Sequence, residues 1–188
     1  MRIISGRWRG TALAPVGPGD EAARLRPTAD RVRESLFNLL AHGDYPALAG
    51  AQILDLFAGT GALGLEALSR GAAAATFVET GRPALRLLDA NLARLRGARD
   101  LATVLARDAT RLGANPGAPA SVVFLDPPYG RGLGERALAA ALAGGWIAPA
   151  ATVVWEEGVH PAPPPGLTLR DRRQYGDSMI SILEATLS

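Results

Sequence analysis

Ile53-Leu-Asp55-Leu-Phe57-Ala-Gly59-Thr-Gly61-Ala-Leu-Gly64 reads as a short apolar strand, a glycine loop and the opening of a helix. Glycines in that context let a ligand approach the backbone closely. Working outward, apolar runs at 53–57, 76–79, 102–105, 122–126 and 152–155 predict strands, and the intervening stretches 62–70, 83–96 and 133–143 predict helices. Alternation of this kind predicts an α/β fold with a parallel sheet. After Pro161-Ala-Pro-Pro-Pro165 the pattern changes, and 167–173 and 179–183 predict an antiparallel hairpin at the sheet edge. At the other end, 2–13 predicts a small hairpin. Thr28 of Arg26-Pro27-Thr28 then caps a helix that ends near His42-Gly43. The expected division is an N-terminal hairpin and helix extension, 1–43, followed by the main domain, 44–188.

The chain has 188 residues, room for one domain with an appendage, and 48% hydrophobic with 20% charged residues is an ordinary globular composition. Cysteine is absent, which excludes disulfides, thiolate zinc sites and a cysteine nucleophile, and two histidines alone make no metal cage. No metal is expected. A cytoplasmic location is, because the first residues, Met1-Arg-Ile-Ile-Ser-Gly-Arg7, carry charges where a signal peptide needs an apolar core. The uncharged stretch 137–155 matches a membrane span in length. Gly144-Gly145, Pro149 and the β-branched Thr152-Val153-Val154 make it helix, turn and buried strand instead.

All 20 basic residues are arginine against 18 acids, a net charge of +2. Up to Arg33, however, seven arginines face only Asp20, Glu21 and Asp30. Arginine donates in pairs to phosphates and stacks on bases, so Arg2, Arg7, Arg9, Arg31 and Arg33 around Trp8 form a candidate nucleic-acid footprint. A solvated charged face is the plainer reading of the same arginines.

Gly59, Gly61 and Gly64 fit the dinucleotide pattern G-x-G-x-x-G, but Asp55 argues for a different ligand. A carboxylate beside the loop repels a pyrophosphate and welcomes an ammonium, and S-adenosylmethionine carries an ammonium and no phosphate. Glu79, 24 residues on, ends the second strand where an acid can accept ribose hydroxyls. Asp108 follows the third strand; it suits an adenine amino group, or equally a solvated loop. The fourth strand ends in Asp126-Pro127-Pro128-Tyr129, whose prolines stiffen the backbone and leave its carbonyls free to accept. An exocyclic amine held by Asp126 and the Pro127 carbonyl, with its base stacked on Tyr129, would be aligned for methyl transfer by positioning.

These residues resemble the amino-group methyltransferases of the Rossmann-like, seven-stranded, S-adenosylmethionine-dependent class I. Arg2-Ile-Ile-Ser-Gly-Arg-Trp-Arg-Gly10, the segment from Leu25 to Asn38, and Leu63-Gly-Leu-Glu-Ala-Leu-Ser-Arg-Gly71 resemble the RsmD family over nearly the whole chain. The resemblance implies methylation of guanine N2 in 16S ribosomal RNA, on the naked RNA or a 30S assembly intermediate, by a monomeric enzyme. It implies a cofactor site formed by Arg26, Pro27, Thr28, Asp55, Phe57, Ala58, Gly59, Thr60, Gly61, Glu79, Asp108 and Ala109. It also implies a catalytic tetrapeptide of Asp126, Pro127, Pro128 and Tyr129, and RNA contacts by the basic arm. Family members can carry Phe where this chain has Tyr129, which makes the ring matter more than the hydroxyl. The other readings are an adenine-N6 or cytosine-N4 DNA methyltransferase, a nicotinamide-dependent oxidoreductase and a non-catalytic RNA-binding module. Asp55 disfavours the oxidoreductase, and a module would have no need of the tetrapeptide.

Overall fold

The computed structural model describes residues 1–17, 30–176 and 178–186. Helices α1 (Asp30–His42), α2 (Ala62–Ser69), α3 (Arg82–Arg94) and α4 (Leu133–Ala143) accompany strands β1 (Gln52–Leu56), β2 (Ala74–Glu79), β3 (Ala102–Ala106), β4 (Ala120–Leu125), β5 (Ile147–Glu157), β6 (Leu167–Tyr175) and β7 (Ser178–Ala185). They form one seven-stranded sheet in the order β3-β2-β1-β4-β5-β7-β6. The first five strands are parallel; β7 pairs antiparallel with both β5 and β6. This is the class I methyltransferase-like architecture. The hairpin lies where the sequence places it, with β6 at the edge.

Side chains alternate across the sheet because successive residues of a strand point to opposite faces. Ile53, Phe77, Val122, Phe124 and Val154 meet α2 and α3 on one face, while Leu54, Leu56, Val123, Leu125, Val153 and Trp155 meet α4 on the other. Both faces are covered, which explains why the strands read as continuous apolar runs. The stretch 137–155 divides as expected, into α4, a turn at Gly144-Gly145 and β5. Strand β5 begins earlier than its β-branched run, at Ile147, and reaches it across a register shift near Ala150, whose φ is +58°. Among the described residues no helix is long and apolar enough to cross a membrane.

The N-terminal hairpin is reduced to a single antiparallel bridge, Arg2 to Ala12. Its backbone is docked on α2: Glu66, fully buried, accepts from the amides of Ile4 (2.8 Å) and Ser5 (3.0 Å), and Arg7 donates to the Ser69 carbonyl at 2.8 Å. Gly6, at φ +84°, lies so close that a Cβ there would sit 1.8 Å from the Ser69 carbonyl oxygen. Ile3, Trp8, Leu13, Leu36, Phe37 and Leu40 share one hydrophobic cluster with the sheet. The arm and α1 are thus packed into the core of the main domain.

Candidate active site

At the end of β1 the chain turns sharply. Phe57 takes φ +58°, a conformation that costs a non-glycine residue about 1–3 kcal/mol, and Gly59 and Gly61 follow at +56° and +78°. The turn is held from several sides. Ala58 donates to the Val78 carbonyl at 3.0 Å, Gly61 to the Ala58 carbonyl at 2.7 Å, and the buried Asn91 amide donates to the Thr60 carbonyl at 2.9 Å. Glu79 is shared between loop and strand end. Its Oε2 accepts from Gly59 (2.9 Å) and its Oε1 from Thr80 (2.7 Å) and Gly81 (2.6 Å). A carboxylate offers about four acceptor positions, so one remains for a ligand hydroxyl.

Asp55 is 2% exposed, and its Oδ2 accepts from the Gly64 amide at 3.0 Å. A Cβ on Gly64 would stand 2.4 Å from the Phe77 ring and 3.0 Å from that oxygen, so the third glycine is required by packing around the carboxylate. Burial pushes the Asp55 carboxyl up to about 8; the Gly64 hydrogen bond opposes this, and the charge of Glu79 adds to it. Asp108 is exposed and held below its ordinary range by the Thr110 amide, which its Oδ1 accepts at 2.8 Å while capping a short 3-10 turn, Ala109–Arg111. Ala109 is buried beneath it.

On the neighbouring strands, Asp126 follows β4 and is half-buried. Burial first, then the charges of Glu156, Asp55 and Glu157, hold its carboxyl well above the usual range. Pro127 is buried, Pro128 exposed and Tyr129 42% exposed. The Tyr129 hydroxyl donates to Glu156 Oε1 at 3.0 Å, and the Gly130 amide donates to Glu157 Oε1 at 3.1 Å. The hydroxyl is therefore engaged within the protein while the ring stays partly open. Burial raises the Tyr129 phenol above its ordinary value.

The structure brings together Asp55, Phe57 to Gly61, Glu79 and the tetrapeptide at the C-terminal ends of β1, β2 and β4, with Asp108 after β3. Ligands bind in this position in open α/β sheets. Arg26, Pro27 and Thr28 lie outside the described residues. Glu156, Glu157, Asn91 and Ser178 are additions that sequence reasoning missed. For the two glutamates a signal existed, since they directly follow the apolar run of a buried parallel strand. For Asn91 and Ser178 there was none. The acceptor set suits a cationic, hydroxyl-bearing ligand: buried or half-buried carboxylates on β1, just after β4 and on β5, a glycine loop that closes around Asp55, and an acceptor position on Glu79.

Two members of the predicted RNA footprint need correction. Trp8 is 7% exposed, and its indole N–H donates to the Arg96 carbonyl at 3.1 Å, so its ring is a core element and offers no face to a base. Arg33 is fully buried; it donates to the Arg2 carbonyl (2.6 Å) and pairs with Asp30 (2.6 Å), because α1 carries it inward against α2. Arg2, Arg7, Arg9 and Arg31 stay exposed, and among the described residues none forms an ion pair. Arg7 lies over the Trp8 ring at 5.5 Å. It also sits at the far end of α2 from the glycine loop, about 12 Å away for eight residues of helix.

Residues 1–184 match the model of the family described as Conserved hypothetical protein 95. The chain is 47% identical over 160 residues to the Escherichia coli K12 protein named Ribosomal RNA small subunit methyltransferase D, covering 85% of this chain and 75% of that one. A Haemophilus influenzae protein of the same name is 38% identical over 158 residues, 83% of this chain and 78% of its own. The solved structure of yhhF from Escherichia coli superposes with a TM-score of 0.84 at 41% identity, over 100% of this chain and 99% of that one.

Proposed function

The chain belongs to the family described as Conserved hypothetical protein 95, the RsmD family, and on that premise we propose that it methylates the exocyclic N2 amine of a guanine in small-subunit ribosomal RNA. It is a methyltransferase, and S-adenosylmethionine is its cofactor. The observation that carries the exocyclic-amine reading is the Asp126-Pro127-Pro128-Tyr129 platform, and the resemblance to the RsmD family supports guanine as the base. It lies one strand away from Asp55 and close enough for the two carboxylates to influence each other.

When bound, S-adenosylmethionine supplies a methyl group activated by a sulfonium leaving group. Asp55 accepts the ammonium of its amino-acid end, and Glu79 accepts a ribose hydroxyl at the position its three backbone bonds leave over. Asp126 and the Pro127 carbonyl accept the two hydrogens of the target amine, which turns the nitrogen lone pair toward the methyl group. Tyr129 stacks on the base, and stacking of this kind is worth about 1–3 kcal/mol. The high proton affinity of Asp126 suits it to hold the proton that the amine gives up after transfer. Arg2, Arg7, Arg9 and Arg31 bind phosphates away from the reacting base. Radiolabelled methyl transfer to small-subunit particles from cells lacking the gene, followed by nucleoside analysis, tests this. N2-methylguanosine is expected; N6-methyladenosine or N4-methylcytosine overturns the reading.

A further inference from the structure

Tyr129 combines an open ring with a tethered hydroxyl. The ring is 42% exposed, yet Glu156 Oε1, on a residue only 7% exposed, accepts from the Tyr129 hydroxyl at 3.0 Å and from the Ser178 hydroxyl at 2.7 Å. The two hydroxyls are 3.3 Å apart. Along the ring edge the backbone of Gly158 leaves so little room that a Cβ there would stand 3.0 Å from Tyr129 Cδ2. The three polar groups come from three places: the loop after β4, the end of β5, and the first residue of β7, directly after the hairpin turn.

Resting on the reading that Tyr129 stacks on the target guanine, we propose that Glu156 and Ser178 are positioning residues for that base, acting through the Tyr129 hydroxyl, so that the C-terminal hairpin sets the ring angle. A partly exposed aromatic side chain otherwise explores several rotamers, and ordering it when the base arrives costs binding energy. Hydrogen bonds to a shielded carboxylate are stronger than neutral ones, and two donors converging on one oxygen fix that oxygen as well as the ring. The hydroxyl contributes nothing to stacking area. Its contribution is the orientation of a surface on which the amine must meet the methyl group within a narrow range of angles. Ser178 belongs to the same device because it shares the oxygen and sits in the hairpin, 49 residues from Tyr129 in sequence.

Kinetics of Tyr129→Phe, Ser178→Ala, Ser178→Thr and the double variant Tyr129→Phe/Ser178→Ala test the proposal, with Tyr129 ring resonances of 13C-tyrosine-labelled protein recorded without RNA. Tyr129→Phe is expected to lower kcat about 10-fold, the loss of roughly one charge-assisted hydrogen bond, with KM for S-adenosylmethionine within about twofold of wild type. Ser178→Ala is expected to lower kcat about threefold and to shift or broaden the Tyr129 ring resonance, and Ser178→Thr, which keeps the hydroxyl, to restore both. The double variant should be no slower than Tyr129→Phe alone, because both substitutions cut the same link. Wild-type kcat in Tyr129→Phe, effects that multiply in the double variant, or an unmoved ring resonance in Ser178→Ala overturns the proposal. If the wild-type protein transfers no methyl group to guanine, the functional reading fails, and the ring resonance still decides whether Ser178 positions Tyr129.

Discussion

The two halves of the active site are built differently. Around the cofactor loop, carboxylates are satisfied by backbone amides alone: Asp55 by Gly64, nine residues on, and Glu79 by Thr80 and Gly81 beside it and by Gly59, 20 residues back. Around the tetrapeptide, side chains hold side chains or distant backbone: Tyr129 and Gly130 reach glutamates 27 residues away, and Ser178 reaches Glu156 across 22. The first half is a strand–glycine loop–helix turn whose backbone amides meet the carboxylates, braced by the end of β2 and by Asn91 on α3. The second exists only once β4, β5 and β7 lie side by side. On the proposed function, a cofactor common to many reactions would be met by the first half, and the particular substrate by the second.

Asp126→Ala should separate the halves most sharply. The orienting acceptor is lost while Asp55 and Glu79 remain, so turnover is expected to fall at least about 100-fold, with calorimetric affinity for S-adenosylmethionine within about threefold of wild type. An equal loss of both would merge the halves into one cooperative unit. Asp55→Ala should do the reverse, weakening cofactor binding about 10- to 150-fold by removing one charge-assisted hydrogen bond, with the fold retained. Wild-type affinity would remove Asp55 from the cofactor site.

The pH dependence of cofactor binding sharpens the comparison further. With its carboxyl pushed up to about 8, Asp55 is protonated in the free protein at neutral pH and must lose that proton to face an ammonium. Binding should therefore release a proton and weaken by up to about tenfold for each unit that pH falls below 8; Asp55→Asn should flatten that dependence. The sign for the free fold is opposite. A carboxyl raised above its unfolded value of about 3.9 favours the folded state below that value, and this contribution is lost as pH rises through about 8. Calorimetry in buffers of different ionisation enthalpy reads the released proton, and a proton count of zero at pH 7 would break the argument.

The smallest effect is expected at the arm. Arg7 and Arg9 have exposed side chains on a docked backbone, so replacing both with alanine should leave cofactor affinity and Tm near wild type. The salt dependence of RNA binding should flatten by roughly one unit, at about −0.7 per phosphate contact on single strands. An unchanged slope would place the phosphate contacts on other arginines.

The sequence by itself determined the order of strands and helices, the glycine loop, Asp55, Glu79 and the tetrapeptide, because each depends on periodicity or on residues within a few positions of one another. The C-terminal end of helix α1 and the bounds of the hairpin were also legible, to within a few residues. Only the tertiary structure decided what became of Trp8 and Arg33, which in sequence are indistinguishable from exposed neighbours. Burial follows from what packs on a side chain, and Trp8 is covered by the chain at Arg96, 88 residues away. Tertiary structure likewise supplied Asn91, whose amide joins Ala14 to Thr60 across 77 and 31 residues, and the Glu156–Ser178 tether of Tyr129. A hydrogen bond between side chains distant in sequence leaves no local pattern to read, since it is created by the pairing of strands and the packing of helices.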